Sequence, residues 1–230
     1  MGEEQFIHED ISCELMLTTK CNLSCSYCIA HGLYATTMGI DCGKKAIDMF
    51  VALGEGAKNI EFVFTGGEPL LNFNTLKAIV AYADDKSREF AMNSFFVVKT
   101  NGTLINDDII EFLKRYGVKA VISIDGLPEY HNKNRRSCNG EPTQEIIVNN
   151  VKKLQNNDIP CSASLTIHPN FAGHIIDNVK YLYCIGLKEI DIGPVYGKVN
   201  WSNSQINNFK LSLGLLLNLY IKLKKMNMLK

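Results

Sequence analysis

The stretch ELMLTTKCNLSCSYC, residues 14–28, joins an apolar run to three closely spaced cysteines. The run Glu14–Thr19 is short, continuous and largely apolar, which predicts a buried β-strand. Cys21, Cys25 and Cys28 follow within eight residues on the loop that leaves this strand. The stretch therefore predicts a strand whose carboxyl end carries a group of thiols.

Outward from this stretch, runs of strand character alternate with helical patterns along the chain. Such alternation predicts parallel strands joined by crossover helices. The predicted strands are Glu14–Thr19, Ile60–Thr65, Phe95–Thr100, Lys119–Ile124, Cys161–Ile167 and Lys188–Gly193. The predicted helices between them are Lys44–Leu53, Thr75–Phe90, Asp107–Tyr116, Thr143–Asn156 and His174–Ile185. We therefore predict an α/β fold, a partial (βα)6 TIM-like barrel of parallel strands with outer helices, whose active site lies at the carboxyl ends of the strands.

The last part of the chain predicts one further helix, Asn203–Met228. Its apolar run is too short and too interrupted to cross a bilayer, which needs about 20 apolar residues. We expect residues 1–200 to form a core domain and residues 201–230 a C-terminal helix, which either ends a short protein or begins a missing auxiliary domain. Because Leu211–Leu223 is rich in apolar residues, we also expect a dimer or partner contact there.

Charge and cysteine usage narrow the class of protein. The chain has 24 basic and 24 acidic residues, so no net field attracts nucleic acid or an anionic membrane. Its first residues are acidic and lack the basic start and apolar run of a signal peptide, so we expect a cytoplasmic protein. In a reducing compartment the eight cysteines are free for metal binding or catalysis. Five of them are far apart in sequence and are interpreted as small buried side chains: Cys13, Cys42, Cys138, Cys161 and Cys184.

The three clustered cysteines predict a metal centre with an incomplete set of protein ligands. Structural zinc sites and electron-transfer iron–sulfur clusters usually have four protein ligands. One interpretation is a zinc site of Cys21, Cys25 and Cys28 with His31 as the fourth ligand. The other is a four-iron cluster whose remaining iron stays open to a small molecule, and an open position is typical of catalytic metal sites.

Polar groups also follow two later strands. Gly66, Gly67 and Glu68 come after the second strand, where glycine permits close backbone approach and a carboxylate can bind an ammonium group. The alternative is a tight turn with a solvated Glu68. Thr100 and Asn101 begin a loop after the third strand, and this loop is expected to lead into a helix rather than a hairpin.

The segment after the fourth strand carries further candidates. Ser123 and Asp125 share one face, because alternate residues of a strand point the same way. Arg135 follows in the same segment, and a guanidinium suits a carboxylate ligand. The alternative is an Asp-Gly turn with a solvated basic loop. After the fifth strand, the candidates for facing the substrate are Thr166, His168 and Asn170.

The spacing C-x3-C-x2-C, with Tyr27 directly before the last cysteine, resembles the radical S-adenosylmethionine (radical SAM) superfamily. Gly66–Pro69 is similar to the GGEP motif of that family, and Thr100–Gly102 is similar to its TNG loop. Ser123–Arg135 resembles the S-x-D-G-P-x-x-x-H-D-x-x-R pattern of members that modify peptides and proteins, including the sulfatase-maturing and SPASM group. The resemblance covers about residues 11–200.

The last of these motifs departs from the family pattern in two places. Pro128 is displaced by one position, and Asn132 stands where an aspartate is common. Arg136 also competes with Arg135 for the position of the final arginine. The sequence therefore offers two arginines, Arg135 and Arg136, for the one position of the final arginine.

The resemblance implies two cofactors, a [4Fe–4S] cluster and SAM. It implies that Cys21, Cys25 and Cys28 hold the cluster and that the methionyl group of SAM chelates its open iron. For the rest of SAM, it implies that Gly66, Gly67 and Glu68 lie at the amine and that Tyr27 and Val195 lie near the adenine. It also implies that Thr100 and Asn101 line the cavity. At the ribose and carboxylate it implies Ser123 and Arg135, with Asp125 beside them.

The activity implied by the resemblance is reductive cleavage of SAM to a 5′-deoxyadenosyl radical that abstracts hydrogen from a substrate, which we expect to be a peptide or protein. A flavodoxin- or ferredoxin-type reductant would supply the electron. SPASM relatives continue into a cysteine-rich domain with auxiliary clusters, and this sequence contains no such cysteines. The alternatives are an enzyme that places a glycyl radical on a partner, and a non-catalytic iron–sulfur module that binds a peptide or senses redox state.

Overall fold

The computed structural model describes residues 9–30, 32–197 and 199–226. The strands are β1 (Asp10–Thr18), β2 (Asn59–Gly66), β3 (Asn93–Thr100), β4 (Lys119–Ser123), β5 (Cys161–Ile167) and β6 (Ile190–Pro194). The helices are α1 (Ile40–Leu53), α2 (Phe73–Glu89), α3 (Asp107–Arg115), α4 (Pro128–Asn134), α5 (Gln144–Asn156), α6 (Ile175–Cys184) and α7 (Asn203–Lys225). The strand order is β1-β2-β3-β4-β5-β6, with parallel pairing. The predicted fold class, an α/β partial (βα)6 barrel, is confirmed.

The chain divides into two compact units. Unit 1 comprises Met1–Asn22, Gly32–Ile122 and Asn150–Cys161. Unit 2 comprises Leu23–His31, Ser123–Asn149 and Ser162–Lys230. The domain boundary at residue 200 stays a prediction, because these units are assembled from alternating segments of the chain.

In unit 1, the strands and helices bury large apolar side chains. Phe62 and Phe64 of β2 are fully buried, as are Leu76 and Ile79 of α2. The ring of Phe62 stacks on that of Phe96, with centroids 5.9 Å apart. On β1, buried residues alternate with exposed ones, so this strand is covered on one face only. β1 begins at Asp10, four residues before its predicted start, because the alternation leaves no continuous apolar run over its first residues.

In unit 2, β5 and α6 both bury apolar side chains. Leu165 and Ile167 of β5 and Ile175 and Leu182 of α6 are at most 1% exposed. Helix α4 was absent from the sequence prediction, because its seven residues are too few to show a helical period. Pro128 occupies its first turn, where the missing amide hydrogen carries no cost.

Helix α7 begins with a capping box. The Ser202 hydroxyl accepts the Gln205 amide at 3.3 Å, and the Gln205 side chain accepts the Ser202 amide at 3.0 Å. Leu211, Leu215 and Leu217 of α7 are each more than half exposed. The dimer or partner contact expected on this helix stays a prediction. None of the described helices combines the length and apolar character that a bilayer-spanning helix needs.

Candidate active site

Gly66, the last residue of β2, and Gly67, which follows it, allow the chain to approach the segment that leads into Cys21. The Gly67 amide donates to the Thr18 carbonyl at 2.7 Å, and the Glu68 amide donates to the Lys20 carbonyl at 2.9 Å. A Cβ atom on Gly67 would lie 2.4 Å from the Lys20 oxygen, which real Cβ atoms do not tolerate. Glycine is therefore required by this main-chain contact, and the contact holds the residue that precedes the first cysteine.

Glu68 is fully buried and joins the ends of β2 and β3. Its Oε1 accepts the Leu70 amide at 3.0 Å and the Thr100 hydroxyl at 2.7 Å, and its Oε2 accepts the Asn101 amide at 2.7 Å. Burial raises the pKa of Glu68, while the hydrogen bonds from Asn101, Thr100 and Leu70 act in the opposite direction. The alternative of a solvated Glu68 is therefore wrong. Since Oε2 accepts only one of these bonds, it keeps acceptor capacity for a cationic ligand.

Asn101 is brought together with the first cysteine. Its side-chain Nδ2 lies 3.8 Å from the Cys21 Sγ and 2.9 Å from the Asn22 Oδ1. Thr100 and Asn101 are 1% and 6% exposed, and Gly102 turns the chain with a φ of 74°. The loop then leads into α3, as the sequence predicts, and the Asn106 side chain caps this helix by accepting the Ile109 amide at 2.9 Å.

A second group of candidates in unit 2 is organised around Asp125, which is 3% exposed. The Tyr27 hydroxyl donates to its Oδ2 at 2.5 Å. The Nε atom of Arg135 lies 3.0 Å from its Oδ1, which also accepts the Thr166 amide at 3.2 Å. Tyr27, Asp125, Arg135 and Thr166 thus form one buried network, and the alternative of a solvated basic loop is wrong.

Electrostatics within this network favour a charged Arg135 and a neutral Tyr27. Burial acts to lower the pKa of Arg135, but Asp125, Tyr27 and Cys25 together outweigh it and the pKa is raised. Burial also raises the pKa of the Tyr27 phenol, against the opposing effect of Arg135. The guanidinium lies 5.4 Å from the centre of the Tyr27 ring, within the range of a cation–π contact. Nε lies in ion-pair contact with Asp125 and Nη2 donates to the Thr166 hydroxyl at 3.3 Å, so the donor of Arg135 without a protein contact among the described residues is Nη1.

His131 supports the same network from α4, and sequence reasoning gave it no role. Its Nδ1 accepts the Asp125 amide at 3.1 Å, and its Nε2 lies 3.1 Å from the Thr143 hydroxyl. That hydroxyl donates to the Arg135 carbonyl, so it must accept from Nε2, which fixes a neutral imidazole protonated there. Burial lowers the pKa of His131 to about 4. The sequence feature that could have identified His131 is its place between Asp125 and Arg135, which matches the histidine of the family pattern S-x-D-G-P-x-x-x-H-D-x-x-R.

The loop that carries Cys25 and Cys28 is held against the end of α4. The Ser24 amide donates to the Arg136 carbonyl at 2.8 Å, and the Ser26 amide donates to the Asn134 carbonyl at 2.9 Å. Cys25 is 8% exposed, while Cys21 and Cys28 are half-buried, and none of these three cysteines forms a disulfide.

The donor set suits an iron–sulfur cluster. Thiolates are the usual ligands of such clusters. Within residues 9–30, 32–197 and 199–226, no three His, Cys, Asp or Glu side chains lie close enough together to hold a single metal ion. A four-iron cluster does not require three side chains to converge on one ion, because each thiolate would bind a different iron atom. The proposed zinc ligand His31 lies outside the described residues.

The remaining candidates are less involved in these networks. Ser123 is half-buried at the end of β4. Val195 is 4% exposed, and its amide donates to the Ile167 carbonyl at 3.0 Å. The His168 Nδ1 accepts the Asn170 amide at 3.3 Å, which makes a local turn. Their contacts with a cofactor or substrate stay predictions.

Comparison with known proteins supplies the family context. The family model described as the radical SAM superfamily matches residues 15–181. An uncharacterized protein of Methanocaldococcus jannaschii is 36% identical over 176 residues, which cover 76% of this chain and 59% of that protein. A cysteine-type anaerobic sulfatase-maturating enzyme of Clostridium novyi is 27% identical over 189 residues, which cover 80% of this chain and 50% of the enzyme.

One solved structure, native anSMEcpe with bound AdoMet and Kp18Cys peptide, matches the fold with a TM-score of 0.82 at 21% identity. The match covers 93% of this chain and 62% of that one. The chain thus spans only about half to three fifths of the length of these proteins.

Proposed function

Because this chain belongs to the radical SAM superfamily, we propose that Cys21, Cys25 and Cys28 bind its cluster and that its substrate is a peptide or protein. The cofactors of the family, a [4Fe–4S] cluster and SAM, are the cofactors of this chain. When reduced by an external donor, the cluster would supply one electron to SAM, whose sulfur–carbon bond would break to give methionine and a 5′-deoxyadenosyl radical. The single observation that carries the proposal is the cysteine triplet directly after β1, inside the matched residues.

The residues of unit 1 support binding of the methionyl amine. Glu68 is held by three hydrogen bonds, so its carboxylate cannot rotate, and its Oε2 keeps a free lone pair. A buried carboxylate and an ammonium group form a strong charge-assisted hydrogen bond. We assign Glu68 to the cofactor amine, with Gly66 and Gly67 holding the backbone beside it.

The contacts around Asp125 in unit 2 support a role in positioning Tyr27 more than a direct contact with SAM. Asp125 is shared by Tyr27, Arg135 and Thr166, so it fixes the tyrosine that lies between the second and third cysteines. We therefore assign Asp125 as a positioning residue. Arg135 and Ser123 keep their proposed roles at the carboxylate and ribose of SAM.

The peptide substrate is supported by the relatives. The C. novyi protein is a sulfatase-maturating enzyme, and anSMEcpe was solved with a peptide bound. Because the chain spans only part of these proteins, the substrate of the whole protein is a proposal. A flavodoxin- or ferredoxin-type reductant and a cytoplasmic setting, both expected from the sequence, complete it.

SAM cleavage tests the core of the proposal. The protein is reconstituted anaerobically with iron and sulfide, reduced and mixed with SAM, and 5′-deoxyadenosine is measured by chromatography. Wild type should form it, whereas Cys25→Ala should lose both iron and product. Cys42→Ala is the matched control and should retain both, because Cys42, expected from the sequence to be buried, is exposed on α1. A cluster-loaded wild type that forms no 5′-deoxyadenosine would show a non-catalytic module instead.

Isotope transfer tests the substrate class. A perdeuterated proteome digest and a perdeuterated small-metabolite extract are offered to the enzyme separately. Mass spectrometry then detects deuterium in 5′-deoxyadenosine, because the radical takes its hydrogen from the substrate. Deuterium from the peptide fraction supports the proposal, and deuterium from the metabolite fraction alone contradicts it.

A further inference from the structure

Three polar side chains next to Cys21 form a closed ring of hydrogen bonds. The Asn101 Nδ2 donates to the Asn22 Oδ1 at 2.9 Å. The Asn22 Nδ2 donates to the Thr103 hydroxyl at 2.8 Å, and that hydroxyl donates to the Asn101 Oδ1 at 2.7 Å. Each member donates to the next, so the ring holds all three side chains in one arrangement.

The ring and the backbone together determine which way the Asn101 amide points. The Thr103 backbone amide lies 3.0 Å from the Asn101 Oδ1. A backbone amide can only donate, so the oxygen of Asn101 must face it. The nitrogen therefore faces the other way, 3.8 Å from the Cys21 Sγ. This is an N–H···S hydrogen bond to the first cysteine of the triplet.

The side chain of Asn101 has no hydrogen-bonding capacity left for a cofactor. Its two N–H donors are used by the Cys21 sulfur and by Asn22, and its oxygen accepts two bonds from Thr103. An asparagine has two such donors and two such acceptor sites. Its backbone amide is bound to the Glu68 carboxylate. These bonds direct the polar atoms of Asn101 toward the cysteine, and the lining role implied by the family resemblance stays a prediction.

We propose that Asn101 raises the reduction potential of the cluster through this N–H···S hydrogen bond, with Asn22 and Thr103 as the residues that position its amide. Hydrogen bonds to the ligand sulfurs are among the factors that set cluster potentials. A donor stabilises the more negative, reduced state, since the added electron increases the charge on the sulfur. The inference rests on Cys21 as a cluster ligand, which belongs to the proposed function.

Potentiometric titration of the reconstituted cluster, without SAM and monitored by electron paramagnetic resonance, tests this. Asn101→Ala removes the donor, so the ratio of reduced to oxidised cluster at a fixed potential should fall about tenfold. For a one-electron couple this is a shift of about 59 mV to more negative potential. Asn101→Asp keeps the shape and the bonds from Thr103 but places an acceptor at the sulfur. It should shift the potential at least as far.

Asn106→Ala is the matched control. It removes another asparagine from the same loop, together with its bond to the Ile109 amide, and the sulfur contact is untouched. Its potential should equal that of wild type. Equal potentials for wild type and both Asn101 variants, at full iron content, would overturn the inference. So would a shift that appears only when SAM is added, because that would indicate contact with the cofactor.

Two further measurements keep the test decisive. If the Asn101 variants do not load iron, wild type prepared with 15N-asparagine should show a nitrogen hyperfine coupling in its reduced cluster, and its absence overturns the inference. Cys21→Ala reports separately on the proposed function. If this variant keeps the wild-type cluster spectrum, the ligand assignment fails. If it loses the cluster while the Asn101 variants behave as wild type, only the role of Asn101 fails.

Discussion

Replacing Asp125 by alanine removes one carboxylate to which Tyr27, Arg135 and the Thr166 amide are bound. The Arg135 side chain is 9% exposed, so the variant leaves a guanidinium charge buried without its counterion. Removing one partner of a buried ion pair costs about 3–5 kcal/mol, a large share of the roughly 5–15 kcal/mol that stabilises a folded protein. We expect Asp125→Ala to lower the free energy of unfolding by about 3–5 kcal/mol.

Anaerobic urea unfolding of the cluster-free chain, followed by circular dichroism, measures this loss. With a slope of about 3 kcal/mol per molar urea, the midpoint should fall by about 1–2 M. Lys58→Ala is the control, because the Lys58–Glu9 ion pair is 68% and 70% exposed. Exposed pairs of this kind contribute about 0–1 kcal/mol, so the midpoint of the control should barely move.

A double variant separates the loss of the pair from the burial of a single charge. Asp125→Leu combined with Arg135→Met removes both charges, and such replacements are often neutral. The double variant should therefore be more stable than Asp125→Ala. If Asp125→Ala costs no more than Lys58→Ala, or if the double variant is the least stable of the three, the reasoning from a buried pair is refuted.

Two other changes test the network and the glycine contact. The pKa of His131 is about 4 in the folded chain against 6.5 unfolded, so its contribution to stability is present above pH 6.5 and is lost as pH falls toward 4. Between these pH values, the free energy of unfolding of wild type should fall by about 3 kcal/mol more than that of His131→Gln in a urea series, and equal losses would contradict a buried neutral imidazole. Gly67→Ala places a Cβ atom 2.4 Å from the Lys20 oxygen and should cost about 1–3 kcal/mol and lower the bound iron, whereas Gly173→Ala, with nothing within 4 Å, should change neither. Iron analysis and urea unfolding of the two variants side by side measure this, and equal behaviour would show that the close approach does not occur.

Strand and helix positions were largely predictable, because buried strands leave continuous apolar runs in the sequence. Cys161–Ile167 was predicted with both of its ends. β1 was predicted too short, since its first residues alternate between exposed and covered positions and lack such a run. Helix α4 was missed for a related reason, because seven residues contain less than two turns.

The candidate residues were predictable as a set, but their partners were not. Cys21, Glu68 and Asn101 could be chosen from motifs, yet the bond between Asn101 and Cys21 joins residues 80 positions apart. The position of Asp125 beside the cofactor stays a prediction, and the sequence did not reveal the three protein groups that share its carboxylate. Such pairings depend on tertiary packing, and a local sequence pattern does not show which distant residues come together.

The separation in sequence between the cysteine loop and its partners has a consequence in time. Tyr27 and Asp125 are 98 residues apart. A ribosome adds about 5–20 residues per second, so the cysteine loop is synthesised about 5–20 s before Asp125. During this interval the thiols lack the groups that later hold the loop, and we expect iron to be retained only by nascent chains that have passed β5. Ribosome-bound chains stalled before and after Ile167 would measure this, and equal iron in both would contradict it. Insertion of the proposed cluster would then come long after Cys21, Cys25 and Cys28 have been synthesised.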